Sequence, residues 1–143
     1  MKTIIRNIFL CFTISVFIIS CEHSTSTQTN GEQLHGSWQW VKTEGGFTGT
    51  GGPNNTPEAV GYTIRKIFKP EGIAQFFKND TLTNQSKYSV NKDTSHSQVI
   101  NLLHLEGNEN YLDQRIDFRG NDSLILSDNV IDGFFVFYIR IKN

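Results

Sequence analysis

The chain has 143 residues, with 13 basic and 14 acidic side chains, a formal charge of −1 and two cysteines. That length suits one small domain with its own core. The near-neutral balance lacks the basic footprint that nucleic-acid binding requires, and it argues equally against a polybasic membrane-binding face.

At the N-terminus, Lys2 and Arg6 precede an apolar run from Ile8 to Ile19, and the small residue Ser20 precedes Cys21. A run of about a dozen apolar residues has the size of a secretory signal and is too short to span ~30 Å of bilayer. Ile18-Ile19-Ser20-Cys21 resembles a bacterial lipobox, where the thiol is acylated and the chain is cut just before it. An ordinary secretory signal that happens to contain a cysteine is the alternative. Residues 1–20 are therefore expected to be a lipoprotein signal peptide, and Cys21 the lipid-bearing first residue, palmitate included. On that reading Cys11 leaves with the signal, and the mature chain has neither free thiol nor disulfide in an oxidising compartment. Losing Lys2 and Arg6 takes the 13 basic residues to 11 against 14 acidic ones, a formal charge of about −3. Lipid is then the anchor, each buried CH₂ contributing about 0.8 kcal/mol. The expected location is the cell envelope, at the outer membrane, facing the periplasm or the outside.

Residues 21–33 are the expected tether, because Glu22 to Gln33 holds no apolar side chain that could offset chain entropy. Residues 34–143 are the expected domain, and their apolar pattern has period two, without a convincing helix. His35 to Thr43 is a strand with Trp38 and Trp40 on one face. A long Gly/Thr/Asn/Pro loop follows from Glu44 to Val60. Strands are expected over Gly61–Phe68, Ile73–Lys78, Lys87–Val90, Gln98–Leu105, Tyr111–Arg119, Ser123–Ser127 and Phe134–Lys142. Lys69-Pro70-Glu71-Gly72, Asn79-Asp80, Gly120-Asn121-Asp122 and Asp132-Gly133 are turns, and Asn91 to Ser97 is a polar loop.

Short strands at about ten-residue spacing indicate an antiparallel sandwich or barrel. Asp113, Arg115, Asp117 and Arg119 alternate with Leu112, Ile116 and Phe118, so one face is wet and the other buried. The last strand is apolar on both faces: Phe134, Val136, Tyr138 and Arg140 on one, Phe135, Phe137, Ile139 and Ile141 on the other. Its outer side then needs a cover from a loop or the N-terminal segment. Short links favour up-and-down order, and closure removes vulnerable edges. The expected fold is all-β: an eight-stranded antiparallel up-and-down barrel.

Gly36-Ser37-Trp38 opens the first strand and Arg140 lies in the last. With Trp40-Val41, Gly45-Gly46, the Gly120 to Leu126 hairpin and Asp132-Gly133 before Tyr138, they resemble the small lipocalin-like (calycin-type) lipoproteins of Gram-negative bacteria. The likeness runs from Leu34 to Lys142. It implies that Gly36, Trp38 and Arg140 form a structural bolt at the closed end, the guanidinium packing over the indole. The chain is shorter than a secreted lipocalin and lacks a recognisable C-terminal helix.

Catalytic patterns are weak. His23, His35, His96 and His104 show no metal-ligand spacing, and no metal or other cofactor is expected. His104 turned into the lumen would serve as a general base; a satisfied structural histidine is the alternative. Asp113 and Asp117 flank Arg115, which suggests solvated cross-strand ion pairs rather than a catalytic dyad. Gly45-Gly46 and Gly49 to Gly52 precede no helix and so form no phosphate cradle. An eight-stranded barrel has room for side chains or one small ligand. Trp40, Tyr62, Ile64, Phe77, Leu103, Phe118 and Tyr138 either line such a pocket or fill the lumen as core. Phe47 in the long loop either plugs the mouth or anchors the surface. The expectation is a monomeric, non-enzymatic protein that holds a small hydrophobic or amphipathic molecule. A filled barrel presenting its loops to an envelope protein is the rival, and a small isomerase or hydrolase is a third class.

Overall fold

The structure, a computed structural model, describes residues 30–46, 55–95, 97–107 and 112–142. Helix α1 (Asn30–Leu34) leads into strand β1 (Gly36–Gly45), and helix α2 (Pro57–Val60) precedes β2 (Ile64–Lys69). Strands β3 (Ile73–Lys78), β4 (Thr81–Ser95), β5 (Gln98–Leu105), β6 (Gln114–Arg119), β7 (Ser123–Asp128) and β8 (Phe134–Ile141) follow. Each strand pairs antiparallel with the next, and β8 returns to β1, so eight strands close an up-and-down barrel. Inward positions carry Trp38, Trp40, Phe68, Ala74, Leu103, Ile116, Leu124, Leu126 and Tyr138, which join Leu34 in one core.

Local chemistry explains the connections. Asn79 and Asp80 both take positive φ, 47° and 62°, in the two-residue link between β3 and β4. That is the pattern of a type I′ hairpin turn, and Asn and Asp tolerate it. At α2, the Thr56 side chain accepts from the Ala59 N–H, Pro57 sits in the first turn, and Gly61 ends the helix at φ 73°. This follows the usual asymmetry of Pro near the start and Gly past the end.

Four expectations need correction. Two short helices are present where none was convincing, and α1 begins inside the stretch expected as tether. β4 runs through fifteen residues, although the expected strand was Lys87–Val90 and Asn91 to Ser97 was expected as a loop. Its residues are largely polar and exposed on both faces, so hydrophobic period carried no signal; ladders to β3 and β5 hold it instead. Leu112 is exposed, lying before β6 rather than on its buried face. On β8, Phe135 and Ile139 are 49 % and 51 % exposed, so no described segment covers the outer face.

The helix expected nowhere instead seals one end of the barrel. Leu34 is fully buried, and its carbonyl accepts from Trp38 Nε1 at 2.7 Å. Arg140 lies over the Trp38 ring, with Cζ 4.1 Å from the centroid. Its guanidinium donates to three carbonyls: Nη1 to His35 at 2.6 Å, Nη2 to Gln33 at 2.6 Å and Nε to Asn121 at 2.8 Å. One side chain thus joins α1, β1 and the β6–β7 turn. Gly36 makes this approach feasible. Its φ is 120°, and a Cβ there would come 2.8 Å from Arg140 Nη1. The Gly-x-Trp spacing therefore has a steric reason in this chain: only glycine leaves room for the arginine.

Candidate functional site

Above the packed end the lumen opens into a cavity of about 580 Å³, within the size range of small-molecule sites. Trp40 and Tyr138, both nearly buried, form its lower wall. Register sets the depth of each residue. On β2, Phe68 pairs with Gly36 and belongs to the core, Lys66 is the next inward residue, and Ile64 follows toward the mouth. On β3, Ala74, Phe76 and Lys78 sit opposite Phe68, Lys66 and Ile64 in turn. Tyr62, Val60 and Asn55 reach the cavity from the segment around α2, and Leu105, Gln114 and Val136 from the far wall.

Two bulges shape the mouth. The β1–β8 register shifts between Trp40 and Lys42, and the β3–β4 register shifts between Phe76 and Phe77. Such extra residues turn the local side-chain direction. Thr43 then lines the cavity, and its hydroxyl accepts from Trp40 Nε1 at 3.0 Å. Thr83 lines it from β4 and donates to the Phe76 carbonyl at 3.0 Å. Trp40 and Tyr62 stack with centroids 6.2 Å apart and planes inclined by 22°.

The cavity is apolar and aromatic in its walls and cationic in its charge. Lys66 Nζ stands 5.1 Å from the Tyr138 ring centroid and 5.5 Å from that of Phe76. Lys78 Nζ is 3.9 Å from the Tyr62 centroid. The lining contains no Asp or Glu among the described residues. Among the described residues neither ammonium forms an ion pair, whereas Arg65, Lys87, Arg115 and Lys142 all do. Asn55 adds a buried amide nitrogen without a hydrogen-bond partner among those residues.

The residues singled out from sequence divide accordingly. Trp40, Tyr62, Ile64 and Tyr138 line the cavity together. Phe77 lines it as well, with its ring beneath Arg65, 4.3 Å from Cζ, while its neighbour Phe76 both lines it and packs on the core. Two adjacent phenylalanines cannot both face the core on a strand, and pairing of Ala74 with Phe68 selects Phe76. Leu103 is buried core and Phe118 packs 6.0 Å from Trp38, so neither reaches the cavity. Phe47, His96 and Cys21 lie outside the described residues. His104 is exposed on the outer wall and bonds Asp113 at 2.8 Å, because Leu103 and Leu105 take the inward positions. It is no lumenal base. Asp117 pairs with Arg115 at 2.9 Å along one strand rather than across strands.

Lys66, Phe76 and Asn55 were missed from sequence. A signal for Lys66 existed: it shares parity with Ile64 and Phe68, so an inward Ile64 carries Lys66 inward too. No group of three metal-ligating side chains converges among the described residues. No helix among them is long and apolar enough to cross a membrane. Comparison with protein-family models, with curated proteins and with solved structures finds no match to this chain.

Proposed function

We propose that this is a lipid-anchored, lipocalin-like protein of the cell envelope that holds a small hydrophobic or amphipathic molecule in the open half of its barrel. The observation that carries this reading is the 580 Å³ cavity over a packed floor, walled by Trp40, Tyr62, Ile64, Val60 and Tyr138. Buried side chains pack one end of the lumen, and the other end keeps a volume suited to a ligand. The N-terminal pattern ending in Cys21 supports the anchor, and the Gly36, Trp38 and Arg140 arrangement supports the kinship.

Native mass spectrometry of the chain from Glu22 onward, isolated from a bacterial extract, tests the reading. A discrete small molecule released on denaturation is expected. A clean apo mass, together with no binding of added amphiphiles, would overturn it.

A second reading, an interaction module, draws on one observation. Phe135, Ile139, Ile141 and Val41 leave apolar surface exposed along β8 and β1, and contiguous apolar surface commonly marks a contact site. Ile139→Glu would then abolish a complex with an envelope protein while leaving the cavity unchanged.

A further inference from the structure

We infer that the cavity selects anionic amphiphiles, a carboxylate on an apolar body, and that Lys66 receives the carboxylate at the inner end; this rests on the cavity being a ligand site. Charge, depth and the arrangement of polar atoms all support it.

Among the described residues, the cavity lining holds two cations and no acidic side chain. Several other cations of the barrel find a carboxylate, such as Arg65 with Asp80 at 3.2 Å and Lys142 with Asp122 at 2.7 Å. Lys66 instead faces only the π-clouds of Tyr138 and Phe76 among the described residues. An aromatic face attracts an ammonium without neutralising it. A net positive site between low-dielectric walls favours an anion more strongly than the same charge in water does.

Depth fixes the orientation. Lys66 pairs with Trp38 on β1 and with Phe76 on β3, one inward step above the core residue Phe68, and it is half-buried. Lys78 is exposed, level with Ile64 nearer the mouth. Between the deep ammonium and the solvent stand Trp40, Ile64, Tyr62 and Val60, which suit an apolar chain. A carboxylate at Lys66 with its tail running outward satisfies the ammonium and the apolar walls together. The reverse pose leaves Lys66 buried against a hydrocarbon without a counter-charge, which is costly. Lys78 attracts the anion at the mouth and does not hold it.

The test uses dodecanoate, dodecanol and dodecyltrimethylammonium as probes on the chain from Glu22 onward. This chain includes every described residue and all contacts that seal the barrel. Binding is read by Trp40 fluorescence and calorimetry below micellar concentrations. Dodecanoate should bind about tenfold or more tighter than dodecanol, the cation weakest of all, as one charge-assisted hydrogen bond supplies. Lys66→Met should remove that preference with dodecanol still bound, and Lys66→Arg should retain it. Lys78→Met should slow association and leave the preference standing. The intact dodecanol binding doubles as the control for folding. Equal binding of dodecanoate and dodecanol by the unaltered protein, or an unchanged preference in Lys66→Met, overturns the carboxylate assignment and leaves the ligand cavity standing. Failure of all three probes to bind overturns the cavity reading as well.

Discussion

Single side chains decide whether the sealed end of this barrel holds. Trp38 is fully buried, its indole N–H is satisfied by the Leu34 carbonyl, and Arg140 covers its face. Trp38→Ala removes the packing, opens a void and leaves the guanidinium without its platform. A loss of about 3–5 kcal/mol is expected in a urea melt, and a shift under about 1 kcal/mol would refute the packing described for this end. Tyr88 offers a test by titration. Its hydroxyl donates to the Lys69 carbonyl at 2.9 Å, and its ring meets Phe68 edge-on. Burial, aided by the negative charge of Glu71, raises its pKa above the ordinary 10.0. Folding therefore favours the protonated phenol. The contribution is fully present below pH 10.0 and disappears as pH climbs through the raised folded-state value. Melting temperature should fall with pH in that alkaline window, and Tyr88→Phe should flatten the fall.

Among the elements, α1 matters beyond its five residues. A helix so short has no independent stability; it persists because Leu34 enters the core and Arg140 binds the carbonyls of Gln33 and His35. Leu34→Ala should cost about 2–5 kcal/mol, as for a buried leucine, when followed by chemical denaturation. A near-zero change would mean that α1 is an ornament on a barrel sealed by strands alone. The outer face of β8 behaves oppositely, since its apolar side chains add little to the packed interior. β4 shows a strand specified by its neighbours: its polar residues contribute a ladder on each side and almost no hydrophobic signal.

The proposed anchorage is a matter for the molecule as a whole, because the described barrel closes on itself and its core is built from residues Leu34 onward. Cys21→Ala should leave the melting curve of the domain unchanged and move the protein from the membrane to the soluble fraction. A variant that still sediments with membranes would refute lipidation as the means of attachment. An open mouth suits the proposed carrier, since that mouth, with Lys78 and Tyr62, lies opposite the sealed end.

Sequence by itself determined the closed all-β fold. Strand alternation, turn residues such as Asn79-Asp80 and the shortness of the links act over a few residues, and neighbouring strands pair in chain order. It also marked Trp40, Ile64 and Tyr138, whose parity places them inside, and Tyr62, which reaches the cavity from the segment before β2. Tertiary structure decided what parity leaves open. Pairing with Phe68 and Lys66 chose Phe76 over Phe77, the floor of the barrel retired Leu103 and Phe118 into the core, and α1 folded only against Arg140. The positive charge of the cavity emerged the same way. Parity with Ile64 points Lys66 inward, but only closure of eight strands brings it face to face with Tyr138, far away in the chain. Period and turn chemistry are local properties, whereas the depth of a side chain depends on which strand lies across from it.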